Sequence, residues 1–127
     1  MLQLYALLSN MIQPTVETYV GHYPTLQDGE NKVYPYAEIL VNNAVPNNEY
    51  SDNDLLSINV YDNMDTDINR IESISTTILN LLKKFKYIDN NMQVSIYRNS
   101  PHYLTLNDEM IGIARRELRF ICRVYKI

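Results

Sequence analysis

The chain has 127 residues and a mass of 14.9 kDa, which suits one domain spanning 1–127 with a real core. Apolar residues make up 46% and charged residues 20%, a globular composition, and the single cysteine, Cys122, excludes an internal disulfide framework and a cysteine-based zinc site. The net charge of −4 is uneven: Met1 to Thr66 holds nine acids and one base, whereas Asp67 to Ile127 holds six acids and ten bases. Two halves of opposite sign suit nucleic acid, a partner, or copies of the same chain joined head to tail.

The elements follow in chain order. Met1, Leu4, Tyr5, Leu8 and Met11/Ile12 recur at helical spacing, and Pro14 ends that helix. No apolar run approaches the roughly 18 residues of a membrane-spanning helix. Met1 to Ile12 lacks the basic residue and cleavage site of a signal peptide, so a soluble protein in a reducing cytoplasm is expected. A short extended piece is expected at Val16 to Val20, between turn formers. Val33 to Val41 reads as a strand, with Val33, Ala37, Ile39 and Val41 on one face and Tyr34, Tyr36, Glu38 and Leu40 on the other. Pro35 belongs near its start or at a sheet edge. Asn42 to Asp54 is polar and turn-rich and reads as an exposed loop; Leu55 to Asp62 reads as the next strand.

Asp65-Thr66-Asp67 is expected to cap a long helix running to Lys86, with Ile68, Ile71, Ile74 or Ser75, Ile78, Leu81/Leu82 and Phe85 as its apolar stripe. Met92 to Arg98 reads as a third strand. Asn99 to Gly112 reads as a flexible link with a short extended piece, and Ile113 to Ile127 as the longest strand. In that last strand Leu118, Phe120, Cys122 and Val124 alternate with Glu117, Arg119, Ile121, Arg123 and Tyr125. The economical fold is α+β: a mainly antiparallel sheet, or a mixed one, packed against one long helix plus a short N-terminal helix.

No catalytic constellation emerges. Gly21, Gly29 and Gly112 are too far apart for a phosphate loop, and there is no G-x-S-x-G elbow. His22 and His102 have no His or Cys at ligand spacing, and Cys122 reads as a buried apolar residue. Asp65-Thr66-Asp67-Ile68-Asn69 opens like a calcium loop but has Arg70 where glycine is required and Thr76 where a bidentate glutamate is required. The expectation is no enzyme, no metal and no cofactor. Arg115, Arg119 and Arg123 share one face of the last strand, where they suit phosphates, the acids of a neighbouring subunit, or solvent.

Three stretches carry a whole-chain resemblance: Val33-Tyr34-Pro35-Tyr36-Ala37-Glu38-Ile39, then Ile58-Asn59-Val60-Tyr61-Asp62 before the amphipathic helix, and finally Glu117-Leu118-Arg119-Phe120-Ile121-Cys122-Arg123-Val124. Over about residues 2 to 126 the pattern resembles the tail-terminator (tail-completion) proteins of long-tailed bacteriophages and prophages. The tryptophan usual near the second strand of that family is absent, which keeps another neck component, a head-completion or tail-to-head joining protein, as the alternative. The resemblance implies a structural virion protein assembled in the host cytoplasm and located at the tail–neck junction. It would form a hexameric ring that caps the tail tube protein and docks to the head-completion or connector protein. Viral DNA would pass through without sequence recognition, and no membrane is involved. A small nucleic-acid-binding protein is the more distant alternative.

A ring of identical subunits needs two different, complementary patches. The expected interface residues are Tyr34, Tyr36, Glu38, Asp52, Asp54, Arg115, Arg119 and Arg123. In this reading the basic last strand and the acidic N-terminal half form opposite flanks, and the stretches 42–54 and 99–112 project as partner-binding loops.

Overall fold

The apolar alternation of the strands finds its partner in one another more than in a helix. The computed structural model describes residues 2–48, 51–63, 68–107 and 112–126. Helix α1 (Leu2–Ile12) leads into β1 (Glu17–Val20), β2 (Tyr36–Asn48) and β3 (Ser51–Asn63). Helix α2 (Asn69–Leu82), β4 (Lys86–Ile88), β5 (Met92–Asn107) and β6 (Ile113–Lys126) follow. The six strands form one sheet in the order β1-β2-β3-β6-β5-β4. Among the described strands only the β1–β2 pair is parallel.

The fold class expected from the sequence needs correction. Half of the chain is strand, the sheet is a curled, mixed half-barrel, and no long helix forms a second layer. The expected helix from 66 to 86 shortens to the 14 residues of α2. Past Leu82 the chain turns extended at Lys83, takes a left-handed φ of 52° at Lys84, and enters β4. That turn removes Phe85 from the helix and leaves it packed on the edge of the core. Ile68, just ahead of α2, and Leu81 are exposed, and the stripe that reaches the sheet is Ile71, Ser75, Ile78 and Leu82. The acidic cap expected at 65–67 lies outside the described residues.

The strands grow where the polar sequence suggested loops. Asn42 to Asn48 continues β2 and Ser51 to Asp54 opens β3, making a hairpin whose register shifts after Asn42 and again after Pro46. β3 pairs with β6 along its whole length, from Ser51 opposite Tyr125 to Asn63 opposite Ile113. Pairing with β3 along 42–48, and with both β2 and β6 along 51–54, outweighs the weak strand propensity of Asn and Asp. β5 likewise runs through the expected link, with a bulge between Arg98 and Tyr103 that accommodates Pro101, and it exceeds β6 in length. Among the described residues, neither stretch is a projecting loop.

Other expectations hold. α1 and β1 form where the spacing placed them, and Pro35 stands one residue before β2, whose later start leaves Val33 outside the strand and exposed; β6 runs unbroken past Arg115-Arg116. Ile39, Ile58, Val60, Val94, Ile96, Phe120 and Val124 are buried in one core with Leu4, Leu8 and Ile12 of α1 and with the α2 stripe. α1 packs on β1, and α2 lies over β3 and β6. Tyr5 pins α1 to β2: its hydroxyl accepts the Val41 N–H at 2.8 Å. Both helices share one face of the sheet, so the opposite face is left without a helical cover.

Candidate functional site

Strand alternation divides the named residues between the two faces. Tyr36, Tyr61 and Arg115 are cross-strand neighbours on the helix-free face, as are Glu38, Asn59 and Glu117. Arg119 lies opposite Ser57, and Arg123 opposite Asn53. Thus Tyr36, Glu38, Arg115, Arg119 and Arg123 come together on that face, with the ring of Tyr34 beside Tyr36. Asp54 does not join them: it shares parity with Leu56 and Ile58, is buried, and stands opposite Cys122. Asp52 is placed by its backbone opposite Val124, and its side chain lies outside the described residues.

Tyr36 is the centre of an aromatic box. The Tyr61 ring stacks on it at 4.9 Å between centroids, and Tyr23, Tyr34 and Tyr19 sit at 4.7, 5.4 and 6.1 Å. Lys32 Nζ lies 5.7 Å from the ring centres of both Tyr23 and Tyr36, and donates to the Tyr36 hydroxyl at 3.3 Å. The connecting segment 21–35 is held here by two further bonds. The Tyr23 N–H donates to Glu38 Oε2 at 2.6 Å, and the Tyr23 hydroxyl accepts the Val33 N–H at 3.1 Å. Burial, then Tyr23 and Glu17, raises the Tyr19 phenol above its ordinary pKa. Tyr36 is 1% exposed, which corrects its expected role as a surface contact. Its area is consumed inside the subunit, and Tyr34 is half-buried beside it.

The arginine row is held in place by mostly neutral partners. Arg115 donates through Nε and Nη2 to Asn59 Oδ1 at 3.0 and 2.8 Å, with its guanidinium 5.8 Å from the Tyr61 ring centre. Arg123 donates to Asn53 Oδ1 at 3.2 Å and lies 5.9 Å from the Tyr97 ring centre. Among the described residues, Arg119 alone of the three meets an acid, Glu117, at 3.0 Å. Asn and Tyr orient a guanidinium without cancelling its charge, so Arg115 and Arg123 keep theirs for an outside anion. A shallow pocket lined by Asn42, Leu55, Ser57, Asn99, Glu117 and Arg119 lies on the same face.

The expectation that the basic strand forms one flank and the acidic half the other is also corrected. β6 runs between β3 and β5, so the arginine row crosses the middle of the sheet.

Sequence reasoning missed a triad on the opposite face. Arg116 is buried, and its Nε donates to Glu72 Oε1 of α2 at 2.8 Å. The Tyr103 hydroxyl donates to Glu72 Oε2 at 2.7 Å. These two bonds tie α2 to β5 and β6. The Tyr103 hydrogen bond first, then Arg116, holds the Glu72 carboxyl below its ordinary pKa, against the opposing effect of burial. Arg116 shares parity with Leu118 and Phe120, and that was the available signal. A second latch joins Asp62, also buried, to Arg70 through both carboxylate oxygens.

Cys122 is buried, and that burial, with the Asp54 charge beside it, pushes its thiol up to about 12, so it carries no nucleophilic chemistry at neutral pH. Among the described residues, no group of three or more His, Cys, Asp or Glu is placed to hold a metal ion. Among them, too, no helix is long and apolar enough to cross a membrane. What the helix-free face offers is a contact surface: oriented cations, tyrosine rings, and the exposed apolar side chains of Leu40, Leu55 and Tyr97. No family model matches the chain, and no curated protein matches it significantly.

Proposed function

We propose that this chain is a structural virion protein of a long-tailed phage, of the tail-terminator kind. It forms a ring, hexameric by that likeness, that caps the tail tube and joins it to the head connector. The observation that carries the reading is the sequence pattern over nearly the whole chain: the Tyr34-Pro35-Tyr36 strand start, the second strand entering an amphipathic helix, and the arginine-bearing final strand. The helix-free sheet face adds support, since it offers charge and rings to a partner instead of a cleft for a substrate. Tail tube protein polymerised in its absence should grow without length control. Adding the chain should produce tubes with one ring-shaped end, seen by electron microscopy. Tubes that elongate past it unchanged would sink the terminator reading and favour another neck component.

A second reading draws on the stacked pairs Arg115–Tyr61 and Arg123–Tyr97. Cations interleaved with aromatic rings are what a nucleic-acid surface uses. It would be recognised by retention of a short DNA at low salt that falls steeply as salt rises.

A further inference from the structure

The two ends of the sheet differ in sign. At the β4 end, Lys83, Lys84 and Lys86 line a groove with Arg98 around the half-exposed ring of Tyr97. Ile88 on the same end strand is 67% exposed. At the β1 end, Glu17 stands on the outermost strand, and Asp28 and Glu30 lie on the 21–33 segment that Gly21 and Tyr23 tie to β2. All three acids are exposed, next to the exposed apolar side chains of Val20, Leu26 and Val33. Among the described residues the ion pairs are Asp62–Arg70, Glu72–Arg116 and Glu117–Arg119, and none of these end charges belongs to one of them.

We propose that copies of this chain join head to tail through the two ends of the sheet, the basic β4 end of one against the acidic β1 end of the next. This rests on the ring reading above and names its contact. The occupant is a second copy because the charges are complementary and both ends carry exposed apolar side chains that a mutual contact would bury. A polyanion would be attracted to one end and repelled by the other. The contact is made by side chains and not by a continued strand ladder. The end strands have only four and three residues, and the Gln13 side chain already accepts the Thr18 N–H of β1 at 3.1 Å. Such a heterologous contact closes into a ring when its rotation allows.

The test uses two triple variants of the full chain, Lys83→Glu/Lys84→Glu/Arg98→Glu and Glu17→Lys/Asp28→Lys/Glu30→Lys. All six positions are exposed, so both should melt like the parent. Each variant has ends of like sign. Alone, each should need a concentration higher by roughly tenfold or more to associate in sedimentation, and an equimolar mixture should assemble again. A basic-end variant that assembles like the parent, or a mixture that stays dissociated while the parent assembles, overturns the proposed contact and leaves the ring. So does a basic-end variant that loses only retention of a short DNA duplex. A parent that stays monomeric at every salt overturns both, even where the mixture assembles through its engineered charges.

Discussion

Arg115 and Arg116 are neighbours in β6 and live in different surroundings. Arg116 points under α2, where it is buried and bonded to a carboxylate from another element. Arg115 points to the helix-free face, where a neutral asparagine and a tyrosine ring orient it and water still reaches it. The same contrast runs along the whole sheet. On the covered face, the buried charges of Arg116 and Asp62 each have a dedicated partner, Glu72 and Arg70. On the open face, Arg115, Arg123 and the Tyr97 ring are held in position without being used up, whereas Tyr36 is enclosed by its neighbouring tyrosines. Covered-face substitutions should therefore change stability and leave assembly to follow, whereas open-face substitutions should do the reverse.

The strongest way to break that comparison is Ile78→Asp. Ile78 is fully buried between α2 and the sheet, so the variant places an unpaired charge in the core. The expected loss is about 3–5 kcal/mol or failure to fold, read from denaturant or thermal unfolding. A variant that melts like the parent would mean that α2 does not seat on the sheet.

The triad comes next. Arg116→Ala leaves the Glu72 carboxylate, about two-fifths exposed, free to take water, so the expected loss is smaller, about 1–3 kcal/mol. It also has a pH signature. The folded-state pKa of Glu72 is depressed, so its stabilisation is present above the ordinary carboxylate value and is lost as pH falls through the lower folded value. Glu72→Gln should flatten the acid limb of the stability profile in that window. An unchanged limb would show that the carboxylate contributes nothing there.

What was legible in the sequence follows from the same two faces. Alternation of period two exposed the core of β6 and its arginine row, because every second residue from Leu118 to Val124 is apolar. The amphipathic stripe revealed α2 and one end of it was misjudged, because Lys84 adopts a left-handed turn that a lysine does not advertise. The polar stretches 42–48 and 99–107 look like loops residue by residue, and become strands because long neighbours lie beside them. Pairing between β3 and β6 spans about the whole second half of the chain, and no local pattern encodes it. That pairing also decides where the candidate residues go. It brings Tyr61 beneath Arg115, turns Asp54 toward Cys122, and puts the arginine row in mid-sheet. Tyr36 read as an exposed contact because its strand partner Tyr61 and the returning Tyr23 were not visible from sequence spacing.

The smallest expected effect sharpens the comparison most, because it asks the open face to be dispensable for folding. Arg115→Ala and Arg123→Ala each remove an asparagine hydrogen bond and a ring contact at half-exposed positions. Each should cost less than about 1 kcal/mol, since partly hydrated pairs of this kind contribute little net energy. The double variant should therefore unfold within a few degrees of the parent while its retention of an anionic partner, acidic protein or short DNA, drops. Arg115 and Arg123 are about one strand-length apart on β6 with no shared partner, so their effects on stability should add. A loss comparable to that of Arg116→Ala would mean that the open face is part of the core's support, and the division between the two faces would fail. Equal stability with unchanged anion retention would leave the division intact and remove the arginine row from the contact surface.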